Sequence, residues 1–193
     1  MMQYRAYGTE LSTTYDQEFV QCLEQLAKHE DFPAGTAGER DASLDHATYI
    51  PLWFVNKFYS GYKTMRVGLS GFGPVEHYHL GQLIAQAVEQ LGRRAVYIAS
   101  GDLSHKLTED GPYGFVPEGP QFDAQITQAF AAGDFMQLLS FDETFADKAA
   151  ECGLRSFQIM AGALEGRTYT SELLSHEGTF GVGYGVGAIR LED

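Results

Sequence analysis

Residues 100–105, Ser-Gly-Asp-Leu-Ser-His, directly follow the apolar run of residues 95–99. Polar side chains behind a buried strand lie where open α/β sheets place their chemistry. A loop histidine such as His105 takes and gives protons near neutral pH, and Asp102 is placed to orient it. The alternative is that His105 is a surface residue and Asp102 caps a turn. Ser104 lacks a Gly-x-Ser-x-Gly elbow, which argues against a serine hydrolase triad.

A second group, Glu151-Cys152-Gly153, stands at the head of an apolar helical pattern and offers metal-type ligands. Adjacent positions on a helix diverge by roughly 100°, so we expect at most one of Glu151 and Cys152 to bind a metal ion. Cys152 could equally be a packed thiol, since free cysteines are commonly buried. The spacing of these residues does not distinguish a metal-binding Cys152 from a packed one.

Asp45 and His46 precede an apolar segment that contains Pro51. Proline is tolerated near a helix start, so the pattern predicts that both polar residues lie just before a helix. His46 could contact a substrate or a metal ion there, or it could be a turn residue with a satisfied ring nitrogen.

Composition narrows the function classes. The chain has 193 residues, 44% of them hydrophobic, which fits one domain over residues 1–193. A formal net charge of −13 opposes binding to nucleic acid or anionic lipid. No apolar run approaches the roughly 20 residues of a membrane-spanning helix, and the start lacks a secretion signal. We therefore expect a cytoplasmic protein in which Cys22 and Cys152 are reduced.

The hydrophobic pattern alternates between helical and strand-like segments. Helical spacing covers residues 16–30, 75–91, 122–139 and 142–164, and a Gly- and Pro-rich loop covers residues 31–41. Strands are predicted at residues 65–69, 94–99, 169–174 and 183–191. The strand, helix, strand order around residues 75–91 indicates a right-handed βαβ unit. The sequence thus predicts an α/β fold with a mainly parallel central sheet flanked by helices.

Four motifs in order give the chain a family resemblance. They are Leu-Asp-His-Ala-Thr-Tyr-Ile-Pro-Leu at residues 44–52, residues 99–107, Asp-Gly-Pro-Tyr-Gly at residues 110–114, and Glu-Cys-Gly-Leu-Arg-Ser-Phe at residues 151–157. The set resembles the class III extradiol dioxygenase superfamily, and its LigB-like and Memo-like members above all. The resemblance implies an α/β fold and, in active members, a nonhaem Fe(II) that binds a catecholate and O2 before the ring opens.

The resemblance also implies roles for single residues. His105 matches the acid/base histidine, with Asp102 in support. His46 and Asp45 match a substrate-pocket position for a small aromatic diol, and we place Ser104 with these substrate-binding residues. The metal-ligand position falls on Glu151 or Cys152, since dioxygenases use a glutamate there and Memo-like proteins a Cys-Gly pattern. A Memo-like identity would imply a non-enzymatic or redox-linked module that binds a small ligand or a protein.

One departure from the family concerns the metal site. Family members open with a strand carrying a Pro-His-Pro-Pro type motif, followed by a second strand that ends in a histidine, and neither is present in this sequence. Three explanations follow: a partner chain supplies these strands, the chain is a fragment, or the site is degenerate and binds another divalent metal or none. Missing strands would leave an exposed sheet edge, so we also expect a homo-oligomer.

Overall fold

The computed structural model describes residues 11–37 and 43–192, and no helix among them is long and apolar enough to cross a membrane. The fold is mixed α/β, as predicted. The elements in chain order are β1 (Thr14–Tyr15), α1 (Gln17–His29), α2 (His46–Val55), β2 (Lys63–Thr64), α3 (Pro74–Gln90), α4 (Glu118–Ala132), a 3-10 helix (Met136–Ser140), α5 (Glu143–Ala149), α6 (Leu154–Ala163), β3 (Tyr169–Glu177) and β4 (Tyr184–Leu191).

The chain forms two compact units. The first comprises Met1–Gly68 and Gln86–Ser100, and the second comprises Leu69–Ala85 and Gly101–Asp193. The helix α3 contributes its first part to the second unit and its last turn to the first. The candidate chemistry of residues 102–105 and 151–152 therefore lies within the second unit.

Helices α1 and α3 closely match their predicted ranges. The Asp16 side chain accepts a hydrogen bond from the Phe19 amide and so caps α1, and the buried residues Phe19 and Leu26 lie on one face of the helix. The predicted loop after α1 is present at residues 31–37, and its remaining residues 38–41 lie outside the described residues.

Helix α2 accommodates a proline in its interior, whereas the sequence pattern favoured Pro51 near the helix start. Asp45 caps the helix by accepting the Thr48 amide, and His46 is the first helical residue. Pro51 has no amide proton, so the carbonyl of Ala47 loses its helical donor. The Ser100 hydroxyl replaces that donor at 2.9 Å, which satisfies the carbonyl within the first unit.

The sheets are smaller than the sequence pattern indicates. Among residues 11–37 and 43–192, parallel pairing is confined to β1 and β2, at Thr14 with Lys63 and Tyr15 with Thr64. Residues 65–69 and 94–99, predicted as strands, form no strand within the described part of the chain. Val96 is 88% exposed and Ile98 45% exposed, so the predicted burial of residues 94–99 is also wrong. An apolar run becomes a strand only where a neighbouring strand supplies hydrogen-bond partners.

The two long helical patterns of the second unit are each interrupted. Gly133 adopts a left-handed conformation and ends α4, and the 3-10 helix follows. Ala150 is also left-handed, with φ of 54°, and it ends α5 before α6 begins at Leu154. Residues 151 and 152 therefore lie in a connection between helices rather than on the continuous helix that the pattern predicted.

Tight backbone contacts and an aromatic core hold the second unit together. A Cβ atom on Gly162 would lie 1.8 Å from the Tyr78 carbonyl oxygen, so α6 and α3 cross with their backbones in contact. The antiparallel strands β3 and β4 pack on α4, where the Phe130 ring lies under Gly187. The largest fully buried side chains of the unit include Phe122, Leu83, Ile126, Leu138 and Ile159.

Candidate metal centre

Two loops of the second unit are joined by backbone and side-chain hydrogen bonds. The Cys152 amide donates to the Asp102 carbonyl at 3.2 Å, and the His105 amide donates to the Ala149 carbonyl at 3.2 Å. The Leu103 amide also donates to the Gly183 carbonyl at 2.9 Å. These bonds fix residues 102–105 against the connection between α5 and α6.

Glycines allow the two loops to approach this closely. A Cβ atom on Gly101 would lie 2.4 Å from the Gly153 Cα atom and 2.6 Å from the Cys152 carbonyl oxygen. Gly153 is similarly confined, since a Cβ atom there would meet the Phe157 ring at 2.8 Å. A larger residue at Gly101 would separate the loops that carry Asp102 and Cys152, and one at Gly153 would displace the Phe157 ring.

Asp102, His105 and Cys152 converge at this junction. One donor atom from each, the Asp102 carboxylate, the His105 ring and the Cys152 sulfur, lies within 4.8 Å of the other two. His105 Nε2 is 3.4 Å from Asp102 Oδ2 and 3.8 Å from Cys152 Sγ. Among the described residues this is the one group of three such side chains, and we call it the Asp-His-Cys cluster.

The electrostatic environment keeps the Cys152 thiol protonated in the absence of a cation. Partial burial of the sulfur raises the pKa of Cys152, and the negative charges of Asp102 and Glu151 raise it further. The Asp102 amide donates to the sulfur at 3.1 Å and opposes this shift without reversing it. A thiol in this setting is a poor free nucleophile but becomes a thiolate when a metal ion displaces its proton.

Glu151 is not one of the three donors of the cluster. Its carboxylate accepts a hydrogen bond of 2.6 Å from the Leu154 amide at the start of α6. Burial raises the pKa of Glu151, and the amides of Leu154 and Gly153 offset part of the rise. Of the two residues that the sequence offered as metal ligands, the structure thus brings Cys152 to Asp102 and His105, while Glu151 caps a helix.

Ser104 is fully buried and holds the loop from inside. Its hydroxyl donates to the Ala149 carbonyl at 2.8 Å and accepts the Lys106 amide at 3.0 Å. Its own amide donates to Asp123 Oδ1 at 2.8 Å. These contacts turn Ser104 inward and give it a structural role in the loop, and its substrate contact stays a prediction.

Asp123 and His176 form a supporting pair that the sequence interpretation missed. Asp123 is buried, and its second carboxylate oxygen accepts from His176 Nε2 at 2.7 Å. Burial raises the pKa of Asp123, while the hydrogen bonds from His176 and Ser104 lower it in part. A signal existed in the sequence, because Asp123 shares the helix face of Ile126 and Phe130, where an acidic residue is unusual.

Asp45 and His46 lie in the first unit, at the start of α2. Burial alone would raise the pKa of Asp45, but the hydrogen bonds from Thr48 and the charges of Arg66 and His46 outweigh it and lower the pKa. Asp45 therefore acts as a helix cap. The substrate-pocket role of these two residues remains a prediction.

The Asp-His-Cys cluster suits a metal ion by its donor chemistry. A tetrahedral ion with bonds of about 2.0–2.3 Å holds its ligand atoms about 3–4 Å apart. The separations of 3.4 Å and 3.8 Å from His105 Nε2 match this range. The set contains a sulfur and one histidine, which differs from the two-histidine, one-carboxylate set of nonhaem iron oxygenases and favours thiophilic metals.

Comparison with known families identifies the family of the chain. The family model for the catalytic LigB subunit of aromatic ring-opening dioxygenase matches residues 2–187, which include the whole cluster. The chain belongs to the LigB family. Its α/β fold is therefore that of a dioxygenase-family domain, as the four sequence motifs indicated.

A relative in Clostridium acetobutylicum, named Protein CA_C1420, is 38% identical to this LigB-family chain over 196 residues. The match covers 98% of this chain and 42% of the relative. The chain thus spans about two fifths of the length of the relative that it matches.

Proposed function

We propose that this LigB-family domain binds one thiophilic metal ion through Asp102, His105 and Cys152. The proposal is supported above all by the convergence of three donor atoms of different types from two loops. Hydrogen bonds between the loops and the close approach at Gly101 and Gly153 preorganise the donors, which lowers the cost of ordering a site.

Each residue has a defined task in this proposal. Cys152 loses its proton to solvent and binds as a thiolate, because the cation offsets the charges that keep the thiol neutral. Asp102 supplies a second negative donor, and its amide orients the sulfur. His105 supplies Nε2. A bound metal ion would act as a Lewis acid or as a redox centre for a small ligand.

The family match favours a second candidate, oxidative opening of a catechol-like ring with Fe(II) and O2. In that case His105 takes a proton from a diol hydroxyl and later returns one, and Asp102 supports the protonated imidazole at 3.4 Å. The two candidates use the same nitrogen differently, because a ring nitrogen bound to a metal ion cannot carry a proton. They therefore require different results from His105 variants.

Metal stoichiometry tests the first candidate. We expect about one equivalent of Zn(II) per chain after dialysis for the wild type and a loss of binding of at least about tenfold in Cys152→Ser. The matched control is Cys22→Ser, which removes a thiol from α1 in the first unit and leaves the cluster intact. Equal zinc contents in the two serine variants would contradict the proposal.

Anaerobic Fe(II) loading followed by a panel of catechols tests the second candidate. A yellow ring-fission product that is lost in His105→Ala and retained in His29→Ala, an exposed histidine of α1, would favour ring opening. Bound metal without product in the wild type would instead favour the non-catalytic, Memo-like role.

A further inference from the structure

The loop of residues 107–115, which follows His105, is held in shape by its own backbone hydrogen bonds. Leu107 and Phe115 form an antiparallel bridge at its base. Within the loop, the Gly111 amide donates to the Thr108 carbonyl at 3.1 Å, and the Gly114 amide donates to the Gly111 carbonyl at 3.2 Å. These bonds define a tight turn with Tyr113 at its tip.

A second contact fixes the tip of this loop. A Cβ atom on Gly181 would lie 2.7 Å from the Gly111 Cα atom, so the two backbones touch. The Leu107 amide also donates to the Gly181 carbonyl at 3.0 Å. The loop is thereby held at its base and near its tip. These contacts restrict movement of the backbone that carries Tyr113.

Tyr113 places its ring over His105. The ring centroids are 5.2 Å apart, and the ring planes differ by 28°, which is a stacked arrangement. Tyr113 is 55% exposed, so burial of its ring is not the main reason for this position. The side-chain torsion that turns an imidazole ring is broad, so a packed neighbour is needed to select one orientation.

We propose that Tyr113 is a positioning residue for the metal centre. Its ring stacks on one face of the His105 imidazole and keeps Nε2 turned toward the Asp102 carboxylate and the Cys152 sulfur. This inference rests on the proposed metal site and adds a residue that is not one of its three donors. Contacts that orient a metal-binding histidine influence metal affinity strongly.

Cobalt(II) titration of the full chain provides the test, read from the thiolate-to-cobalt charge-transfer band in the near ultraviolet. We expect Tyr113→Leu to bind cobalt about tenfold more weakly, while Tyr113→Phe stays within about twofold of the wild type. Leucine keeps apolar bulk without an aromatic face, and phenylalanine restores the face without the hydroxyl. Rescue by phenylalanine therefore identifies stacking as the cause.

Phe115→Leu is the matched control, because it removes an aromatic ring from the same loop without a stacking contact to His105. We expect its cobalt affinity to stay within about twofold of the wild type. Wild-type affinity in Tyr113→Leu, or equal weakening in the leucine and phenylalanine variants at Tyr113, would overturn the inference. So would equal weakening in Phe115→Leu.

A measurement on the metal-free protein separates this inference from the proposed function. The ring protons of His105 feel the ring current of Tyr113, so their NMR shifts should move in Tyr113→Leu and stay near wild type in Tyr113→Phe. If the wild type binds no cobalt, the metal site is refuted, and with it the metal-positioning role. The NMR shifts then decide whether the stacking itself exists, and unchanged shifts in Tyr113→Leu refute the stacking.

Discussion

The loops of the second unit that carry the Asp-His-Cys cluster differ from residues 94–99 of the first unit, which the apolar pattern predicted as a buried strand. The loops are held by hydrogen bonds between residues 102–105 and 149–152, and Ser104 and Leu103 are buried within them. In the first unit, by contrast, Val96 and Ile98 are exposed to solvent, and they belong to no strand within the described part of the chain.

The difference shows which part of the chain can build a site from its own residues. The Asp-His-Cys cluster depends on contacts within the second unit. These are the close backbone contact at Gly101 and Gly153, the buried Ser104 and the end of α5 at Ala150. A sheet at residues 94–99 would need neighbouring strands, which the described residues do not provide there. We infer that the second unit tolerates substitution poorly and that the exposed segment tolerates it well.

The largest effect is expected at the crossing of α3 and α6. Gly162→Ala places a methyl group 1.8 Å from the Tyr78 carbonyl oxygen and forces the helices apart. We expect the free energy of unfolding to fall by about 3 kcal/mol, measured by urea denaturation. Gly68→Ala, in the first unit, is the control, since a Cβ atom there meets nothing within 4 Å. Equal losses in the two variants would break the contrast between packed and open regions.

A smaller effect is expected inside the site loop. Ser104→Ala removes the hydroxyl that serves the Ala149 carbonyl and the Lys106 amide, and it leaves both groups without this partner. We expect a loss of about 1–2 kcal/mol in the free energy of unfolding and weaker metal binding. Wild-type stability with unchanged metal affinity would show that the loop is held by other contacts.

The pH dependence of stability gives a further test of the packing in the second unit, at Tyr78. Tyr78 donates to Glu165 Oε1 at 2.9 Å, and burial, with the Glu165 contact, raises the pKa of Tyr78 to about 12 from 10.0. Because the folded-state pKa is raised, this contribution to stability is fully present below pH 10 and is lost as the pH rises through about 12. Tyr78→Phe should lower stability at neutral pH by about 1 kcal/mol and flatten the alkaline loss. A parallel alkaline profile in wild type and variant would contradict this assignment.

Substitution of Val96 is expected to have the smallest effect on the free energy of unfolding. Its effect on self-association of the chain should be larger. We propose that the exposed apolar residues Val96 and Ile98 mediate self-association of the chain. Val96→Asp should change the free energy of unfolding by less than about 0.5 kcal/mol and shift sedimentation velocity profiles toward the monomer. A monomeric wild type, or an unchanged oligomer in the variant, would refute self-association through this surface.

The positions of α1 and α3 were predictable because each depends on local spacing, and the family was predictable from four ordered motifs. The caps at Asp16 and Asp45 and the bounds of α3 lie where short-range rules place them. The strands β3 and β4 were also expected, and the structure extends β3 to Glu177. The proximity of residues 102–105 to Cys152 was suggested only by the family motifs, since no rule of spacing joins them.

The remaining features depend on contacts between distant residues. The break at Ala150 requires a left-handed alanine, which no local pattern indicates, and it changes how Glu151 and Cys152 point. The inward turn of Ser104 depends on Asp123, which is 19 residues away. Strands were predicted at residues 94–99 from apolar content alone, and apolar content does not specify a hydrogen-bonded neighbour.

X-ray absorption spectroscopy of the zinc-loaded protein tests the central claim most directly, because it reports the atoms bound to the metal ion. The proposed site predicts one sulfur at about 2.3 Å together with nitrogen or oxygen ligands at about 2.0–2.2 Å. The sulfur contribution should vanish in Cys152→Ser and persist in Cys22→Ser. A first shell of nitrogen and oxygen alone in the wild type would contradict metal binding by the Asp-His-Cys cluster.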